Sequence, residues 1–299
     1  MINMKRIKNF LITGDTHNDV VARLKNVKAT YPQLNPTETA VIILGDAGLN
    51  FYCNKSEANK KKKMKYKGIR IYCVRGNHEE RPENLNYEAV WDEDVHGNVY
   101  VDPANENIRY FMDGGEYNIN GHSVLTIGGA YSVDKYWRLQ RAAAAGQSFS
   151  GWFADEQLTV DEMEAIGNKV ANKDYDFVFT HTCPFSWEPT DLFLGCVDQT
   201  TVETGMELWM DELRKHIGFG VWCFGHFHAD RVERPCVEQF YWDYEDMEVV
   251  WNRWHGQKTW NNEWWLDKSP MFYSELDKDD HTWDQNPQFS FQNDGIEED

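Results

Sequence analysis

The chain has 299 residues, of which 41% are hydrophobic and 14% aromatic, and its formal net charge is −19. This composition is that of a globular protein with a buried core and excludes a disordered chain. The negative charge disfavours tight binding of long nucleic acids, because these are held mainly through phosphate contacts to Lys and Arg. Small phosphorylated substrates are not excluded, since a bound metal ion can locally override the field of the whole protein.

The cysteine pattern and the hydropathy predict the cellular compartment of the protein. The six cysteines include no C-x-x-C pair, which in a chain of this length predicts free thiols in a reducing compartment. No stretch approaches the ~20 apolar residues that a membrane span needs, and the N-terminal residues lack the apolar segment of a signal peptide. We therefore expect a cytoplasmic protein that does not bind membranes.

The first 80 residues repeat one pattern three times. Apolar runs at residues 9–13, 40–44 and 69–74 are each followed by a polar loop. Between the first two runs, Val20, Leu24 and Val27 have helical spacing. Strand, loop and helix in this order predict a mostly parallel sheet. The polar loops then lie at the carboxyl ends of the strands, where open α/β sheets place their ligands.

The middle of the chain predicts further strands and two helices. Asn120 and Gly121 form a hairpin signal between apolar segments, and a capping box from Thr159 to Glu162 opens a helix through about residue 171. Residues 128–153 form a polar and aromatic stretch. A second helix is predicted over residues 202–216. Strands are predicted at residues 98–101, 108–112, 116–119, 123–127, 176–180, 220–224, 239–242 and 248–251.

The end of the chain differs in composition. Seven of the thirteen Trp follow residue 240, and residues 266–299 contain ten Asp or Glu against two Lys. We predict a domain over residues 1–265 and an acidic, aromatic C-terminal appendage over residues 266–299. The appendage either packs on the domain or offers a surface to a protein partner.

Groups typical of metal sites occur in five loops, each after an apolar run. A lone His at a strand end is ordinarily structural, but five such sets at one end of a sheet indicate a shared site. Carboxylate, imidazole and amide groups together suit Mn, Fe, Zn or Ni better than Ca or Mg. There are too many ligands for one ion, and two divalent ions are the usual solution for hydrolysing phosphate esters. The groups are Asp15, His17, Asp46, Asn77, His78, His181, His226 and His228.

The order of these blocks, D-x-H, G-D, G-N-H-[DE], H and G-H-x-H, resembles the calcineurin-like metallophosphoesterase superfamily. The blocks span residues 15–228. The resemblance implies an α/β or α+β fold, in which a two-sheet β sandwich is flanked by helices in four layers. The early sheet is then mixed, and the later strands form the second sheet.

The resemblance also implies roles for the individual residues. One metal is expected to be bound by Asp15, His17 and His228, and the other by Asn77, His181 and His226, with Asp46 as the bridge. His78 is expected to be catalytic, because it would steady the transition state and protonate the leaving oxygen. The alternative is that His78 only orients Asp15 or a phosphate.

One departure from the superfamily concerns phosphate binding. In its protein Ser/Thr phosphatases the second block continues into Asp-Arg-Gly, whose Arg binds phosphate, whereas here the chain reads Gly45-Asp-Ala-Gly-Leu-Asn50. Two other sources of a substrate-binding group are available. One is the pair Arg75 and Arg81 beside the third block, unless these are solvated or salt-bridged. The other is the segment 128–138, which offers the candidates Tyr131, Lys135 and Arg138. The alternative is that this segment is an ordinary surface crossover.

These observations predict a phosphoesterase with two divalent metals, Mn in preference to Fe, Zn or Ni, in which a metal-bridging hydroxide attacks phosphorus. We expect a phosphomonoesterase acting on a small phosphorylated molecule or a phosphoprotein. A phosphodiesterase acting on a cyclic nucleotide or nucleic acid is the first alternative. The second is a catalytically silent binding module that acts through its Trp-rich C-terminal region.

Overall fold

Strands dominate the computed structural model, which describes residues 6–64 and 68–255. The strands, numbered in chain order, are β1 (Asn9–Thr13), β2 (Thr39–Leu44), β3 (Arg70–Val74), β4 (Glu88–Asp92), β5 (Gly97–Val101), β6 (Ile108–Phe111), β7 (Gly115–Ile119), β8 (His122–Ile127), β9 (Asp174–Thr180), β10 (Gly218–Phe224), β11 (Arg231–Arg234), β12 (Val237–Gln239) and β13 (Tyr244–Asp246). The α-helices are α1 (Val20–Thr30), α2 (Lys55–Lys63), α3 (Lys135–Ala144), α4 (Val160–Val170), α5 (Gly205–Leu213) and α6 (Met247–His255).

The strands form two mixed sheets. The first has the order β13-β1-β2-β3-β6-β5-β4, and the second has the order β11-β12-β10-β9-β8-β7. Strands β1, β2, β3 and β6 are parallel neighbours in the first sheet, as are β8, β9, β10 and β12 in the second. The antiparallel strands lie toward the edges of each sheet. The predicted mostly parallel sheet is therefore present, extended by antiparallel strands that make it mixed.

Three hydrophobic clusters show that the protein has four layers. Along β1, Phe10 and Ile12 point into the core between the sheets, whereas Leu11 points to the opposite face. That outer face is covered by α1 through Leu24 and Val27. The outer face of the second sheet is covered by α4 and α5. Both faces of both sheets are thus buried, which explains why these strands read as continuous apolar runs.

Two predictions near the end of the described chain are wrong in detail. Residues 248–251 belong to helix α6, not to a strand. Met247, Val250, Trp251 and Trp254 recur at helical spacing and pack against the core between the sheets, so contact with that core selects the helix. Of the strand predicted over residues 239–242, only residue 239 is in a strand, at the end of β12.

The elements that the sequence did not predict are helix α3 and strands β4, β11 and β13. The stretch 128–153 contains helix α3, which begins after Asp134 and is strengthened by the ion pair between Asp134 and Arg138, four residues apart. Strand β4 pairs with β5 at the edge of the first sheet. Its side chains are mostly exposed, so the strand lacks the apolar alternation that would have predicted it.

The predicted appendage over residues 266–299 lies outside the described residues, as does the domain boundary at 265. Residues up to 255 belong to the sandwich, because α6 buries Met247 and Val250 in the core between the sheets. Among the described helices, none is both long enough and apolar enough to cross a membrane.

Candidate metal centre

The predicted ligands lie where parallel strands end. Asp15 follows β1, Asp46 follows β2 and Asn77 follows β3 in the first sheet. His181 follows β9, and His226 follows β10, in the second sheet. Because the two sheets pack face to face, these loops meet at one edge of the sandwich. The topology thus brings together groups that lie more than 200 residues apart in sequence, as the backbone amide of His226 shows by donating to Asp15 Oδ1 over 2.9 Å.

Asp15, His17 and His228 form the first ligand cluster. Asp15 Oδ2 lies 3.2 Å from His228 Nε2 and 3.7 Å from His17 Nε2. The two imidazole nitrogens are 2.9 Å apart. Three donor atoms that converge in this way have the spacing of ligands around one cation.

Asp15, Asp46 and His181 form the second cluster. His181 Nε2 lies 2.8 Å from the Asn77 side-chain oxygen and 3.7 Å from Asp46 Oδ1. The other imidazole nitrogen, Nδ1, lies 2.8 Å from the Leu44 carbonyl oxygen. A carbonyl oxygen only accepts, so this contact assigns the proton to Nδ1 and leaves the Nε2 lone pair directed at the cluster.

Asp46 faces both ligand sets. Its Oδ1 points toward His181, and its Oδ2 lies 3.9 Å from His17 Nδ1. The backbone amide of His78 donates to Oδ1 over 2.9 Å and fixes the carboxylate. A carboxylate whose two oxygens face different ligand sets fits the predicted bridging role.

The remaining predicted ligand, His226, borders the same cavity as Asp46 and His228. Its imidazole meets that of His181 edge to face, with ring centroids 5.0 Å apart. All seven predicted metal ligands are therefore in one place.

Close backbone approach and backbone strain mark this centre. A Cβ on Gly76 would lie 2.0 Å from Asp46 Oδ1, and one on Gly225 would lie 2.6 Å from Asp15 Oδ1. Positive φ angles occur at four of the predicted ligands, which are His17, Asp46, His226 and His228. Non-glycine residues adopt this conformation at a cost that recurs at functional sites. The loops are built around the carboxylates, and substitution of either glycine would displace them.

A buried polar atom that has no hydrogen-bond partner in the described chain indicates whether the residues fit a metal. Asp15 Oδ2 is buried and makes no well-formed hydrogen bond within the described chain, although His228 Nε2 is near. Buried carboxylate oxygens are ordinarily hydrogen-bonded. Divalent cations of the Mn, Fe, Zn or Ni type are bound by this combination of a carboxylate oxygen, two imidazoles and an amide oxygen.

The carboxylates and imidazoles shift one another's pKa values. Burial raises the pKa of Asp46, but the imidazoles of His181, His78 and His17 outweigh burial and hold the pKa below its usual range. Burial and the neighbouring His181 lower the pKa of His226 to about 3. Asp46 is therefore ionised and His226 neutral at neutral pH, which are the states in which each residue binds a metal.

A chain of hydrogen bonds that the sequence analysis missed orients Asn77. The Asn77 side-chain amide donates to Ser132 Oγ over 2.8 Å, and this hydroxyl donates to Glu156 Oε2 over 2.5 Å. The chain turns the Asn77 oxygen toward His181. Ser132 lay in the segment 128–138 singled out from the sequence, but Glu156 had no sequence signal.

His78 lies beside the cluster, at the cavity side. Its Nε2 is 3.8 Å from Asp46 Oδ2 and 3.3 Å from Arg138 Nη2. Arg138 is held by Asp134, whose two oxygens lie 2.8 and 2.7 Å from Nε, and by the Gly151 carbonyl. The cavity is also lined by Tyr131, as predicted for substrate contact.

The other three predicted substrate-binding residues are placed differently. Lys135 stacks over the ring of Trp152, with Nζ 4.4 Å from the centroid, and does not line the cavity. Arg75 is buried and pairs with Asp113, and Arg81 pairs with Glu162. Both guanidinium groups also donate to backbone carbonyls. The expectation that Arg75 and Arg81 bind phosphate is corrected, because their donors are committed to structural contacts.

Glu79 ties the ligand loops together. Its two oxygens accept hydrogen bonds from the backbone amides of Gly48 and Gly76, over 2.8 and 3.2 Å. Burial and the nearby Asp46 raise the pKa of Glu79 to about 7. Glu79 therefore fixes the loop after β2 against the loop after β3.

Comparison with known families agrees with this geometry. The sequence profile described as calcineurin-like phosphoesterase matches residues 8–230, about three quarters of the chain. The chain belongs to the calcineurin-like phosphoesterase family. No curated protein matches it. Membership in this family supports metal-dependent phosphoesterase activity, and the ligand clusters supply the candidate metal site.

Replacing Asp46 tests the metal centre. We expect wild-type protein, stripped with chelator and reloaded, to bind about two Mn²⁺ per chain. Asp46→Asn should bind about one or fewer, because an amide cannot bridge two cations through charged oxygens. Mass spectrometry of metal content and thermal unfolding with and without Mn²⁺ measure this, since bound metal raises the unfolding temperature.

The exposed neighbour Asp19 offers a control, because Asp19→Asn should bind metal as the wild type does. Two Mn²⁺ bound to Asp46→Asn with wild-type affinity would refute the bridging role.

Proposed function

We propose that this calcineurin-like phosphoesterase is a phosphomonoesterase that uses two divalent metal ions, preferentially Mn²⁺. The observation that supports this most strongly is the position of Arg138. It stands beside His78 at the edge of the ligand clusters and lines a cavity of about 410 Å³. A terminal phosphate carries more negative charge than a diester, and this site offers an additional cation to receive it.

The metals would be held by Asp15, His17 and His228 on one side and by Asn77, His181 and His226 on the other, with Asp46 between them. When bound, they would supply an activated water and neutralise charge on the phosphoryl oxygens.

Within the chain, Arg138 would bind a phosphate oxygen and so replace the Arg that is missing from the second sequence block. Asp134 and the Gly151 carbonyl fix the Arg138 guanidinium and lower the entropic cost of using it. His78 would donate a proton to the leaving oxygen. The substrate would be a small phosphorylated molecule or a phosphoprotein side chain, from which the phosphoryl group passes to water.

A cytoplasmic location fits this proposal. All six cysteines are free, and four of them are buried. Free buried thiols are typical of a reducing compartment.

A comparison of two model esters tests the proposed function. With added Mn²⁺, we expect wild-type protein to hydrolyse para-nitrophenyl phosphate with kcat/KM at least about tenfold above that for bis(para-nitrophenyl) phosphate. The preference arises because Arg138 adds to the metals' attraction for a dianion. A reversed ratio would identify a phosphodiesterase. Absence of hydrolysis from folded, metal-loaded protein would support a binding module instead.

A leaving-group comparison separates the two roles considered for His78. If His78 protonates the leaving oxygen, His78→Gln should lower kcat by about a hundredfold or more for phenyl phosphate. The loss should be much smaller for para-nitrophenyl phosphate, because nitrophenolate departs without a proton. Equal losses on the two esters would mean that His78 only orients other groups. The surface variant His216→Gln serves as the control.

Arg138 has a matched control on its own helix. Arg138→Gln should raise KM for para-nitrophenyl phosphate about tenfold or more, because a charge-assisted hydrogen bond to phosphate is lost. Arg141 lies one turn away, stacks on Trp137 and does not line the cavity, so Arg141→Gln should leave KM unchanged. Steady-state kinetics of both variants measure this, and similar behaviour of the two would refute the assignment.

A further inference from the structure

The cavity beside the metal centre extends well beyond the space that a phosphate needs. Its volume of about 410 Å³ is that of a small-molecule pocket. The ligands, His78 and Arg138 form one part of its lining. The rest of the lining combines polar residues with an apolar wall, which is formed by Tyr131, Val133, Leu192, Phe193, Leu194, Val197, Val202 and Phe227. A substrate held by its phosphate at the metals would place its leaving group against this wall.

One connection supplies most of that wall. Between β9 and α5 the chain runs through three short 3-10 turns, at Phe185–Trp187, Thr190–Leu192 and Gln199–Thr201. Connections of this length without longer elements are ordinarily functional. The ring of Phe193 stacks against that of Phe227, with centroids 6.3 Å apart and planes inclined by 21°. This contact joins the connection to the loop that carries His226 and His228.

Two carboxylates, those of Glu207 and Glu188, lie beside the apolar wall of this cavity. Glu207, in the first turn of α5, is only 4% exposed, and its Oε2 has no hydrogen-bond partner within the described chain. The Thr182 hydroxyl is close enough to stabilise the carboxylate but is not in hydrogen-bonding geometry. Glu188, at the start of the connection, lines the same cavity. Among the described residues, neither carboxylate forms an ion pair.

Burial and neighbouring carboxylates disfavour ionisation of both groups. Burial, together with the nearby Glu203 and Glu156, raises the pKa of Glu207 to about 7. Burial together with Glu207 and Asp211 raises the pKa of Glu188 to about 8. A buried carboxylate without a partner is costly, and a cation placed beside it removes that cost.

We propose that Glu207, assisted by Glu188, binds an ammonium group on the leaving group, so that the substrates are phosphate monoesters of amino alcohols or of phenols that carry an aminoalkyl chain. This inference rests on the proposed phosphomonoesterase function and names its substrate class. The cavity then complements a zwitterion, with metals and Arg138 at the phosphate and carboxylates at the amine. The apolar wall, with Phe193 and Phe227, receives the carbon skeleton between them, and aromatic rings also attract ammonium groups.

A pair of esters that differ in one group tests the proposal. Tyramine phosphate carries an aminoethyl chain on its phenyl ring, and para-propylphenyl phosphate carries a methyl group in place of the ammonium. Their leaving phenols are otherwise alike in size and shape. For Mn²⁺-loaded wild-type protein, we expect kcat/KM to favour the amine ester by about ten- to a hundredfold, as for a charge-assisted hydrogen bond.

The variant Glu207→Gln keeps the side-chain shape and removes the charge. It should reduce the preference to about one- to threefold by lowering kcat/KM for the amine ester alone. The control is Glu212→Gln on the same helix, because Glu212 pairs with Lys215 and His216 and does not line the cavity. It should keep the wild-type preference. If Glu207→Gln hydrolyses the propyl ester as fast as the wild-type protein does, the variant is folded.

A binding measurement without catalysis separates this inference from the proposed function. Tyramine should bind metal-free wild-type protein about tenfold more tightly than para-propylphenol, as measured by intrinsic fluorescence, and Glu207→Gln should abolish the difference. Equal turnover and equal binding of the paired compounds would overturn the amine site and leave the phosphatase intact. Preferential tyramine binding without hydrolysis of either ester would overturn the phosphatase and retain the amine site. An equal loss on both esters in Glu207→Gln would show that Glu207 is structural.

Discussion

The proximity of two buried carboxylates, Asp15 and Asp46, is the constraint on which the rest of the site depends. Each is almost fully buried, and the charge of Asp46 disfavours ionisation of Asp15. Such a pair stays ionised only where positive groups and amide donors surround it. The backbone amides of His78 and His226 and the converging imidazoles meet this need in part. The glycines that allow these loops to approach the carboxylates, and the strained backbone at four of the ligands, follow from the same requirement.

The sandwich satisfies this constraint through its topology. Parallel strands in each sheet present their carboxyl ends at one edge, so the first sheet supplies both carboxylates and the second supplies His181 and His226. Neither sheet alone contains the ligand set. The apolar core between the sheets fixes the distance between the two halves of the site, and α6 extends that core. Stability of the sandwich and geometry of the metal centre are therefore coupled.

The parts of the site that were predictable from sequence are those with a local signal. Each ligand lies directly after an apolar strand, so the strand pattern and the residue type together identified it. The Asn77–Ser132–Glu156 chain was not predictable, because it joins residues 55 and 24 positions apart through side-chain contacts alone. The proposed role of Arg138 depends on helix α3, of which only Ala142 is buried, so the helix was not signalled by a buried apolar face. Arg75 and Arg81 were predicted to bind phosphate because they are near the ligands in sequence. Their guanidinium groups instead pair with Asp113 and Glu162.

The distribution of charge within the cavity explains why the net charge of −19 says little about the substrate. The proposed phosphate end combines imidazoles at strand termini, whose positions the two sheets fix, with Arg138 from helix α3. The opposite wall comes from the connection between β9 and α5, which carries Glu188, and from the first turn of α5, which carries Glu207. In this proposal the chemistry common to the family rests on rigid elements, whereas selectivity rests on a connection that lies outside the two sheets. Glu207 lies buried in the first turn of α5, where this connection ends, and its Oε2 has no hydrogen-bond partner within the described chain. The proposed recognition of a cation accounts for this unpaired oxygen, whereas a purely structural role does not.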